Sequence, residues 1–371
     1  MQTTDKTAGI DGDADDESAL LHRAKSGDSR AFDELAEAYR AELRAHCYRM
    51  LGSVHDAEDA LQDAMLRAWK GLPGFAGRGT VRAWLYSIAT NTALDLATHR
   101  SRRELPVDFC PAAPTGAEFD PAATEVTWLE PYPDQWLAAG TLDRSASAPE
   151  ALYEQRESIE LAFLIALQHL PPLQRAVLLL KEVVGFSAAE ISSQLGTSPQ
   201  AVNSALQRAR AAVRSTQSPE MSQQATLARL GEQRVLAIAQ QYADAMERGD
   251  VDTLVSMLTA DASWSMPPFP TWYHGHESVR AFLADVAMRE TWRHRTTWAN
   301  GQLAVGGYLR DADTKVFEPW VIDVLTFEGE KISAVTAFLA AEAADPPRNP
   351  SWTGGVELFT RFGLSPTWPE D

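Results

Sequence analysis

Apolar residues recur at helical spacing in three successive segments of the first hundred residues. The segments are residues 32–52, 56–69 and 81–96, and the first ends near a glycine, Gly52. Each keeps its apolar residues on one side, as helices do when they pack against one another. The pattern predicts a helical bundle over residues 18–104.

A second helical pattern occupies residues 150–216 and includes the stretch FSAAEISSQLGTSPQAVNSALQRARAAVR. Ser187 can cap a first helix, with Glu190 completing a capping box, and Gly196 permits a tight turn. Ser198 suits the N-cap of a second helix. The spacing predicts a helix-turn-helix.

The third pattern, in residues 230–345, changes from helical to alternating. An apolar stripe between Val235 and Met246 predicts one helix, and a second follows at about 251–258. Three later segments have the alternating pattern of strands: residues 296–308, 318–327 and 331–339. A turn at 328–330 joins the last two. We therefore expect a multidomain chain with two all-α domains, a helical bundle and a helix-turn-helix, followed by an α+β cone on a bent antiparallel sheet.

Two linkers separate these domains, and a tail follows the last one. The linker at 105–149 is rich in Pro, Ala and acids, and the linker at 217–229 is short. The first contains WLEPYPD at 128–134, in which two prolines flank a tyrosine and exclude a regular helix. Its aromatic residues predict that it docks on another surface, and local burial against a neighbouring helix is an equal alternative. The tail, 346–371, is expected to fold back on the cone or on the helical domains.

The chain carries a large net negative charge that is unevenly distributed. The 371 residues include 33 Lys and Arg against 51 Asp and Glu, a formal net charge of -18. This is unfavourable for a DNA-binding protein, because affinity for phosphate comes from Lys and Arg. The acids are concentrated in residues 1–17, which we expect to be disordered, and in residues 105–160. We infer that the chain alone binds DNA weakly and that a basic partner masks these acids or holds the basic surfaces in place.

Several other classes of protein are disfavoured. The two cysteines, Cys47 and Cys110, give neither a disulfide framework nor metal-ligand spacing. No signal-peptide pattern and no apolar run of membrane-spanning length is present. We expect a soluble, cytoplasmic protein with no cofactor, no metal and no membrane partner.

Two surfaces carry side chains suited to nucleic acid. Gln200, Asn203, Gln207 and Arg208 project from the second helix of the helix-turn-helix, where amides can pair with adenine edges and arginine with guanine or phosphate. A solvated helical hairpin is the alternative.

In the bundle, a glycine-rich loop holds Phe75 and Arg78, and the third helix carries three polar residues on one face, Asn91, Asp95 and Arg102. Aromatic and basic groups beside a polar helix face suit unstacked, single-stranded bases. The alternative is purely structural: the tryptophan of this helix packs in the core, and the helix dipole favours basic residues in its last turn.

Three stretches in this order resemble RNA polymerase sigma factors of the extracytoplasmic-function group: DAEDALQDAMLRAW, FAGRGTVRAWLYSIATNTALD and LPPLQRAVLLLKEVVGFSAAEISSQLGTSPQAVNSALQRAR. The resemblance implies that the chain binds core RNA polymerase and promoter DNA and directs transcription initiation. The residues it implies for polymerase binding are Asp56, Asp59, Gln62 and Asp63. Those implied for the −10 element are Phe75, Arg78, Asn91, Asp95 and Arg102. Those implied for the −35 element are Gln200, Asn203, Ser204, Gln207 and Arg208.

The sequence departs from this family's pattern at three positions. Thr90 stands where many members have arginine, and Asn203 and Ala205 stand where lysine and arginine are common. We therefore expect weaker phosphate contacts and a stronger dependence on the polymerase.

The C-terminal domain resembles the SnoaL-like group of the nuclear-transport-factor-2-like fold through LVSMLTADASW and YHGHESVRAFL. Such cones enclose an apolar pocket, so a small-molecule ligand is a candidate partner. The candidate lining residues are Trp264, Met266, Trp272, Tyr273, His274, Trp298, Trp320, Asp323 and Phe338. A buried Asp323 beside a histidine could act as a general acid or base, but without a nucleophile or a metal site a catalytic role is the less favoured prediction.

Two functions from different classes follow. The first is an alternative sigma factor, not an enzyme, whose SnoaL-like extension regulates it in cis. The linker motif WLEPYPD resembles a tryptophan-and-proline motif of such extended sigma factors, which implies that it enters the polymerase cleft or contacts the extension. The second is a SnoaL-type isomerase or cyclase fused to a DNA-binding regulator. A repressor that binds duplex DNA without polymerase is a third possibility.

Overall fold

The computed structural model describes residues 10–77, 79–117, 120–138, 155–216, 222–340 and 353–368. Arg78, one of the residues implied for the −10 element, lies outside these ranges, as does the expected boundary at 149–150. No helix of the described ranges combines the length and the apolar character needed to cross a lipid bilayer.

The N-terminal bundle consists of four helices. They are α1 (Ile10–Lys25), α2 (Ser29–Leu51), α3 (Val54–Gly71) and α4 (Val81–His99). Asp28 caps α2 by accepting hydrogen bonds from the next turn, and Gly52 ends it in the left-handed conformation. The predicted helices of this domain are therefore present with nearly the expected bounds.

Helix α1 begins at Ile10, so the part of the expected disordered segment that the structure describes, residues 10–17, is helical; residues 1–9 lie outside the described ranges. Tyr39 of α2 donates a hydrogen bond to Glu17 (2.5 Å), and Leu20 and Leu21 pack against the bundle core. Composition suggested disorder because it does not reveal these contacts.

The helix-turn-helix domain is also helical throughout. Its helices are α5 (Leu161–Gln168), α6 (Pro172–Leu178), α7 (Ala188–Gln194) and α8 (Pro199–Thr216), with a π-helical turn at Leu179–Val183. The capping box is confirmed, because Ser187 accepts from the backbone of Glu190 (3.2 Å) and Glu190 accepts from that of Ser187 (2.8 Å). Gly196 makes the turn with φ of 61°.

The cone combines helices with a six-stranded sheet. The helices are α9 (Gln223–Leu230), α10 (Glu232–Arg248), α11 (Val251–Met257) and α12 (Gly275–Asp285). Helix α9 lies in the segment expected to be the short linker at 217–229, so that segment is helical from Gln223. The strands are β1 (Leu258–Ser265), β2 (Trp272–His274), β3 (Trp292–Ala299), β4 (Gln302–Arg310), β5 (Phe317–Glu328) and β6 (Lys331–Leu339). Their order is β2-β1-β6-β5-β4-β3. The expected antiparallel sheet is in fact mixed, since β1 runs parallel to β6.

A hairpin replaces the single strand predicted for residues 296–308. Strands β3 and β4 pair in antiparallel register through a two-residue turn at Asn300 and Gly301. Both turn residues have positive φ, 56° and 68°. An Asn-Gly pair favours such a turn, because both residues tolerate the left-handed conformation. This turn projects toward the helical domains.

The two faces of the sheet pack against different partners. Val305, Leu325 and Val335 face the cone interior together with Tyr242 of α10. Ile322 and the other residues of the opposite face share one continuous apolar core with both helical domains and with the tail helix α13 (Gly355–Arg361). The cone is therefore packed directly on the helical domains.

Candidate nucleic-acid and interdomain interface

The outward face of α8 is open. Val202 and Leu206 are buried, so the predicted inward face is confirmed. The five residues expected to contact the −35 element are all exposed; they are Gln200, Asn203, Ser204, Gln207 and Arg208. Ala205, in contrast, is buried.

Helix α3 presents an acidic face with an apolar residue beside it. Asp59, Gln62 and Asp63 are exposed, and Leu66 on the same face is 51% exposed. These residues are spaced three, one and three apart and therefore share one side of the helix. The arrangement suits docking on a basic protein surface.

Asp56 does not lie on that open face, although the sequence placed it there. It is only 5% exposed and accepts a hydrogen bond from Arg103 (2.6 Å), and it also pairs with Arg100. Both arginines follow the end of α4. The carboxylate is therefore engaged within the bundle and is not free for a partner in this arrangement.

Glu130 of the WLEPYPD motif extends the same ion-pair network. Its carboxylate accepts hydrogen bonds from Ser53 (2.8 Å) and from the backbone of Val54 (2.9 Å) at the start of α3, and it lies 3.3 Å from Arg103. Burial alone would raise the pKa of Glu130, but the hydrogen bond from His55 and the charge of Arg103 hold it below its usual value. The motif is thus docked on the bundle as a charged group.

The predicted −10 face of α4 is contacted by α7 at Asn91, while Asn91, Asp95 and Arg102 all remain exposed. The side-chain amide of Asn91 donates to the carbonyl of Gln194 (3.3 Å), and the hydroxyl of Ser87 donates to the same carbonyl (3.4 Å). Asp95 pairs with Arg67 on α3 (3.1 Å). Arg102 pairs with Glu104 (2.8 Å). These side chains share one side of the bundle, but intramolecular partners occupy them.

Two further residues of the bundle differ from expectation. Phe75 is half-buried against Trp84, with ring centroids 5.0 Å apart, and is less exposed than predicted. Thr90 is fully buried, with its hydroxyl 2.9 Å from a ring nitrogen of His46. Thr90 therefore faces the core in this structure, and the absence of an arginine there removes no exposed charge.

The turn residue Asn300 joins the cone to both helical domains and to the first linker. Its side-chain amide donates to the hydroxyl of Tyr48 on α2 and to the carbonyl of Ile159, which lies just before α5 in the helix-turn-helix domain, both at 2.9 Å. Its side-chain oxygen accepts from the backbone of Tyr132 in the linker motif (2.9 Å). Asn300 is fully buried, so one side chain satisfies groups from three other parts of the chain.

Gly301, the second turn residue, adds contacts that only a glycine allows. Its backbone N–H donates to Asp134 (2.8 Å), and its carbonyl accepts from Gln224 of α9. A Cβ at this position would lie 2.7 Å from the carbonyl oxygen of Arg156. Burial raises the pKa of Asp134 to about 6.

The linker motif and the tail complete this junction. Tyr132 is fully buried, its ring centroid 4.6 Å from that of Tyr48. The motif therefore contacts the extension and is also buried against α2, so both of the predicted alternatives hold. In the tail, Phe359 packs edge-on against Tyr308 of β4, and Arg361 lies 3.2 Å from a ring nitrogen of His55. The tail thus folds back on both the cone and the bundle, as expected.

The candidate pocket residues divide into interior and peripheral groups. Trp264 and Met266 are buried in the cone interior, and Trp264 packs between Tyr242 and Phe282. The part-buried Trp272 donates to the carbonyl of Cys110 in the first linker (2.8 Å).

Trp298 and Trp320 are part-buried, and Trp298 lies under the guanidinium of Arg156, 5.8 Å from its ring centroid. His274 is exposed and Phe338 belongs to the core shared with the helical domains, so neither lines the interior as predicted.

Asp323 is buried in the cone interior, only 2% exposed. Its carboxyl accepts a hydrogen bond from the hydroxyl of Tyr242 (2.9 Å). Burial raises its pKa to about 6, although the nearby His294 opposes this shift. His294, which lies on an inward position of β3, is the histidine near this carboxyl; the sequence interpretation missed it because the predicted strand began at residue 296, whereas β3 begins at Trp292.

Comparisons with known proteins agree with this architecture. Family profiles for sigma-70 region 2, sigma-70 region 4 and a SnoaL-like domain match residues 35–103, 160–213 and 239–335. The chain is 40% identical over 337 residues to the ECF RNA polymerase sigma factor SigG of Mycobacterium tuberculosis, covering 90% of this chain and 84% of that protein.

Two further proteins show partial or structural similarity. The ECF RNA polymerase sigma factor SigW of Bacillus subtilis is 32% identical over 196 residues, 52% of this chain and 92% of that one. The crystal structure of the extracytoplasmic-function sigma factor SigJ of Mycobacterium tuberculosis has a TM-score of 0.50 at 23% identity, covering 90% of this chain and 99% of that one. The similarity to SigJ shows that the two chains share a fold.

Proposed function

Because this chain belongs to the extracytoplasmic-function group of RNA polymerase sigma factors, we propose that its SnoaL-like domain regulates it in cis by holding the two sigma regions together. The protein is an alternative sigma factor that directs core RNA polymerase to specific promoters. It acts in the cytoplasm with the polymerase. Region 2 corresponds to residues 18–104, region 4 to 150–216 and the SnoaL-like domain to 230–345.

The contacts of Asn300 carry this proposal. One buried side chain of the SnoaL-like domain bonds to Tyr48 of region 2, to Ile159 just before α5 of region 4 and to Tyr132 of the linker. These bonds form only when all the parts are assembled. A domain that binds one arrangement of the two sigma regions better than another shifts the equilibrium toward that arrangement.

In the arrangement seen in the structure, regions 2 and 4 are too close together to bind the −10 and −35 elements at the same time. Asn91 of the −10 face touches Gln194 of region 4. Two DNA elements separated by even ten base pairs lie about 34 Å apart. Region 4 must therefore move away from α4 before Asn91 can meet unpaired DNA. We call the present arrangement the closed state.

Opening would release the residues that bind partners. We assign Asp59, Gln62 and Asp63 to the polymerase surface in either state, joined by Asp56 once Arg103 releases it. Phe75, Arg78, Asn91, Asp95 and Arg102 are assigned to the −10 element. Gln200, Asn203, Ser204, Gln207 and Arg208 are assigned to the −35 element, and their exposure in the closed state supports this. Polymerase binding supplies the free energy that separates the regions.

The SnoaL-like domain acts without catalysis in this proposal. Asp323 already has a hydrogen-bond partner in Tyr242, and the predicted histidine, His274, is exposed. SnoaL-like domains also occur in enzymes, so the point requires its own test, which is given below.

The direct test compares run-off transcription by core polymerase with the full chain and with a truncation after Ser215. We expect the truncation to bind polymerase and to change promoter output; equal output from both would contradict regulation by the extension. A second test needs no truncation. Cysteines at Ser87 and Gln194, joined by a short reducible cross-linker, should block initiation, and reduction should restore it. The same double variant without the cross-linker is the control.

A further inference from the structure

A cavity of about 160 Å³ with a mixed polar and apolar lining lies between region 2 and region 4 in the closed state. Region 2 contributes Asp56 and the residues after α4, and region 4 contributes residues of α5 and α6. Four arginines line the cavity: Arg100, Arg102, Arg103 and Arg175. The cavity is separate from the interior of the cone and from the −35 face of α8, but it includes Arg102, which is also assigned to the −10 element.

The carboxylates around this cavity are shared unevenly among the four arginines. Asp56 pairs with Arg100 and Arg103 within the cavity wall. Just outside, Glu130 pairs with Arg103 and Glu104 pairs with Arg102, and Asp108 also interacts electrostatically with Arg102. One of the four arginines has no ion-pair partner among the described residues.

The arginine that lacks an ion-pair partner among these residues is Arg175. This residue is only 4% exposed, and its terminal nitrogens donate to oxygens of Met50, Gln168 (2.9 Å) and Leu170 (3.3 Å), all of them uncharged groups. Burying a guanidinium without an anion is costly. Desolvation accordingly lowers the pKa of Arg175 to about 10.

Two buried donors in the cavity wall also lack acceptors. Among the described residues, neither Nε of Arg175 nor the side-chain nitrogen of Gln168 has a hydrogen-bond partner. Both groups can only donate, so both require an acceptor. A water molecule could supply an acceptor, but only an anion supplies acceptors and the missing negative charge together.

We infer that this cavity binds a small oxyanion of the phosphate class. Arg175 and Gln168 would hold it from region 4, and Arg100 and Arg102 would hold it from region 2. Because both regions form the walls, the anion binds the closed state better and stabilises it. The same chemistry is available from free inorganic phosphate and from a phosphate of a nucleic acid backbone. The inference requires the closed state but not the promoter activity.

The test measures binding of inorganic phosphate to the full chain by calorimetry and by thermal unfolding, against chloride at matched ionic strength. We expect saturable binding and a rise in the unfolding temperature. Arg100 and Arg102 have side chains 43% and 48% exposed, so the R100Q/R102Q double variant should fold and bind phosphate at least about tenfold more weakly. The control, Arg234→Gln in the SnoaL-like domain, removes an arginine that is 50% exposed and should leave phosphate binding unchanged.

A second variant should gain stability. Gln168→Glu places a resident carboxylate beside Arg175, so it should raise the unfolding temperature in chloride and abolish phosphate binding. Absence of saturable binding by the unmodified chain, equal weakening in R234Q, or full phosphate binding by Q168E would each overturn the inference. Competition by a short oligonucleotide would identify nucleic acid as the source of the phosphate, and lack of competition would identify the free anion.

Discussion

The amide of Asn300 donates a hydrogen bond to the hydroxyl of Tyr48, 252 residues earlier in the chain, at 2.9 Å. The same hydroxyl donates to the carbonyl of Glu130 in the linker (2.7 Å). Tyr48 thus connects region 2 with the linker and with the SnoaL-like domain through a single oxygen. Removing that oxygen weakens the junction while leaving the ring in the core.

Tyr48→Phe should therefore favour the open state. The loss of two hydrogen bonds at a buried site costs about 1.5 kcal/mol, roughly a tenfold shift in the equilibrium. We expect higher affinity for core polymerase, measured by fluorescence anisotropy, and more run-off transcript. Tyr308→Phe is the matched control, because its hydroxyl bonds to Ser365 within the C-terminal part of the chain. Equal effects of the two variants would contradict a specific role for Tyr48.

Glu160 makes the junction sensitive to pH. Its carboxyl accepts hydrogen bonds from the backbone N–H groups of Gln223 (3.0 Å) and Gln224 (2.9 Å) at the start of α9. Burial raises its pKa to about 7. The unfolded carboxyl ionises near pH 4.5, so the folded state holds an extra proton between these values. The resulting stabilisation is complete below pH 4.5 and is lost as the pH rises through about 7.

Glu160→Gln should therefore flatten the dependence of stability on pH. Its unfolding temperature should fall less than that of the unmodified chain between pH 5 and pH 8, since up to about 3 kcal/mol of ionisation cost is absent. Burial also raises the pKa of Asp134 to about 6, so part of the decrease in unfolding temperature with pH remains in this variant. Thermal unfolding across this range is the measurement, and Glu232→Gln at the start of α10 is the control. Parallel curves for all three proteins would refute the assignment.

The sequence predicted the helical domains well because their signals are local. The capping box at Ser187 and the glycine that ends α2 each act within one helical turn. The burial of Asp56 could not be predicted in this way, since it depends on Arg103, 47 residues further on. Charge and helix spacing placed Asp56 with Asp59 and Asp63, but tertiary pairing separated it from them.

The hairpin at Asn300 could have been predicted from a signal in the sequence. Asn-Gly between alternating segments favours a two-residue turn, but the alternation continues from β3 to β4 and concealed the break. Its contacts with Tyr48 and Ile159 could not be predicted, because they require the relative placement of three domains. The local fold was therefore accessible from the sequence, and the interdomain site was not.

Asp59 and Asp63 should contribute to polymerase affinity. Both are exposed on α3, and the pair of Asp63 with Arg67 is a surface pair that contributes little to stability. Asp59→Asn with Asp63→Asn should weaken core binding by about tenfold at low salt, with the difference shrinking at high salt. The control is Glu37→Gln, 71% exposed on α2. If the double variant binds as the unmodified chain does at every salt concentration, the docking face lies elsewhere.

Gln207 and Arg208 should contribute differently to binding of the −35 element. Arg208→Ala should reduce the slope of log affinity against log salt concentration by about one, because one phosphate contact is lost. Gln207→Ala should instead weaken the preference for one base, with a loss of about 1–3 kcal/mol in binding free energy. The measurement is binding of the polymerase complex to promoter fragments with single-base changes. Arg229→Ala on α9, also exposed, is the control. Loss of base preference in R229A, or none in Q207A, would argue against this face.

Asp323→Asn separates a structural role of the buried carboxyl from a catalytic one. The amide can still accept the hydrogen bond of Tyr242 but cannot ionise, whereas the carboxyl, with a pKa raised by burial to about 6, becomes charged above that pH. The stabilisation from its raised pKa is complete below about pH 3.8 and is lost as the pH rises through about 6. The variant should therefore unfold at a higher temperature than the unmodified chain at pH 8, and the two should converge near pH 4.

Run-off transcription by D323N should remain within about twofold of normal at pH 8, because charge removal leaves the junction at Asn300 unaltered. A variant that is more stable yet fails to support transcription would show that the carboxylate has a role beyond the stability of the fold. In that case the SnoaL-like domain would be more than a structural regulator.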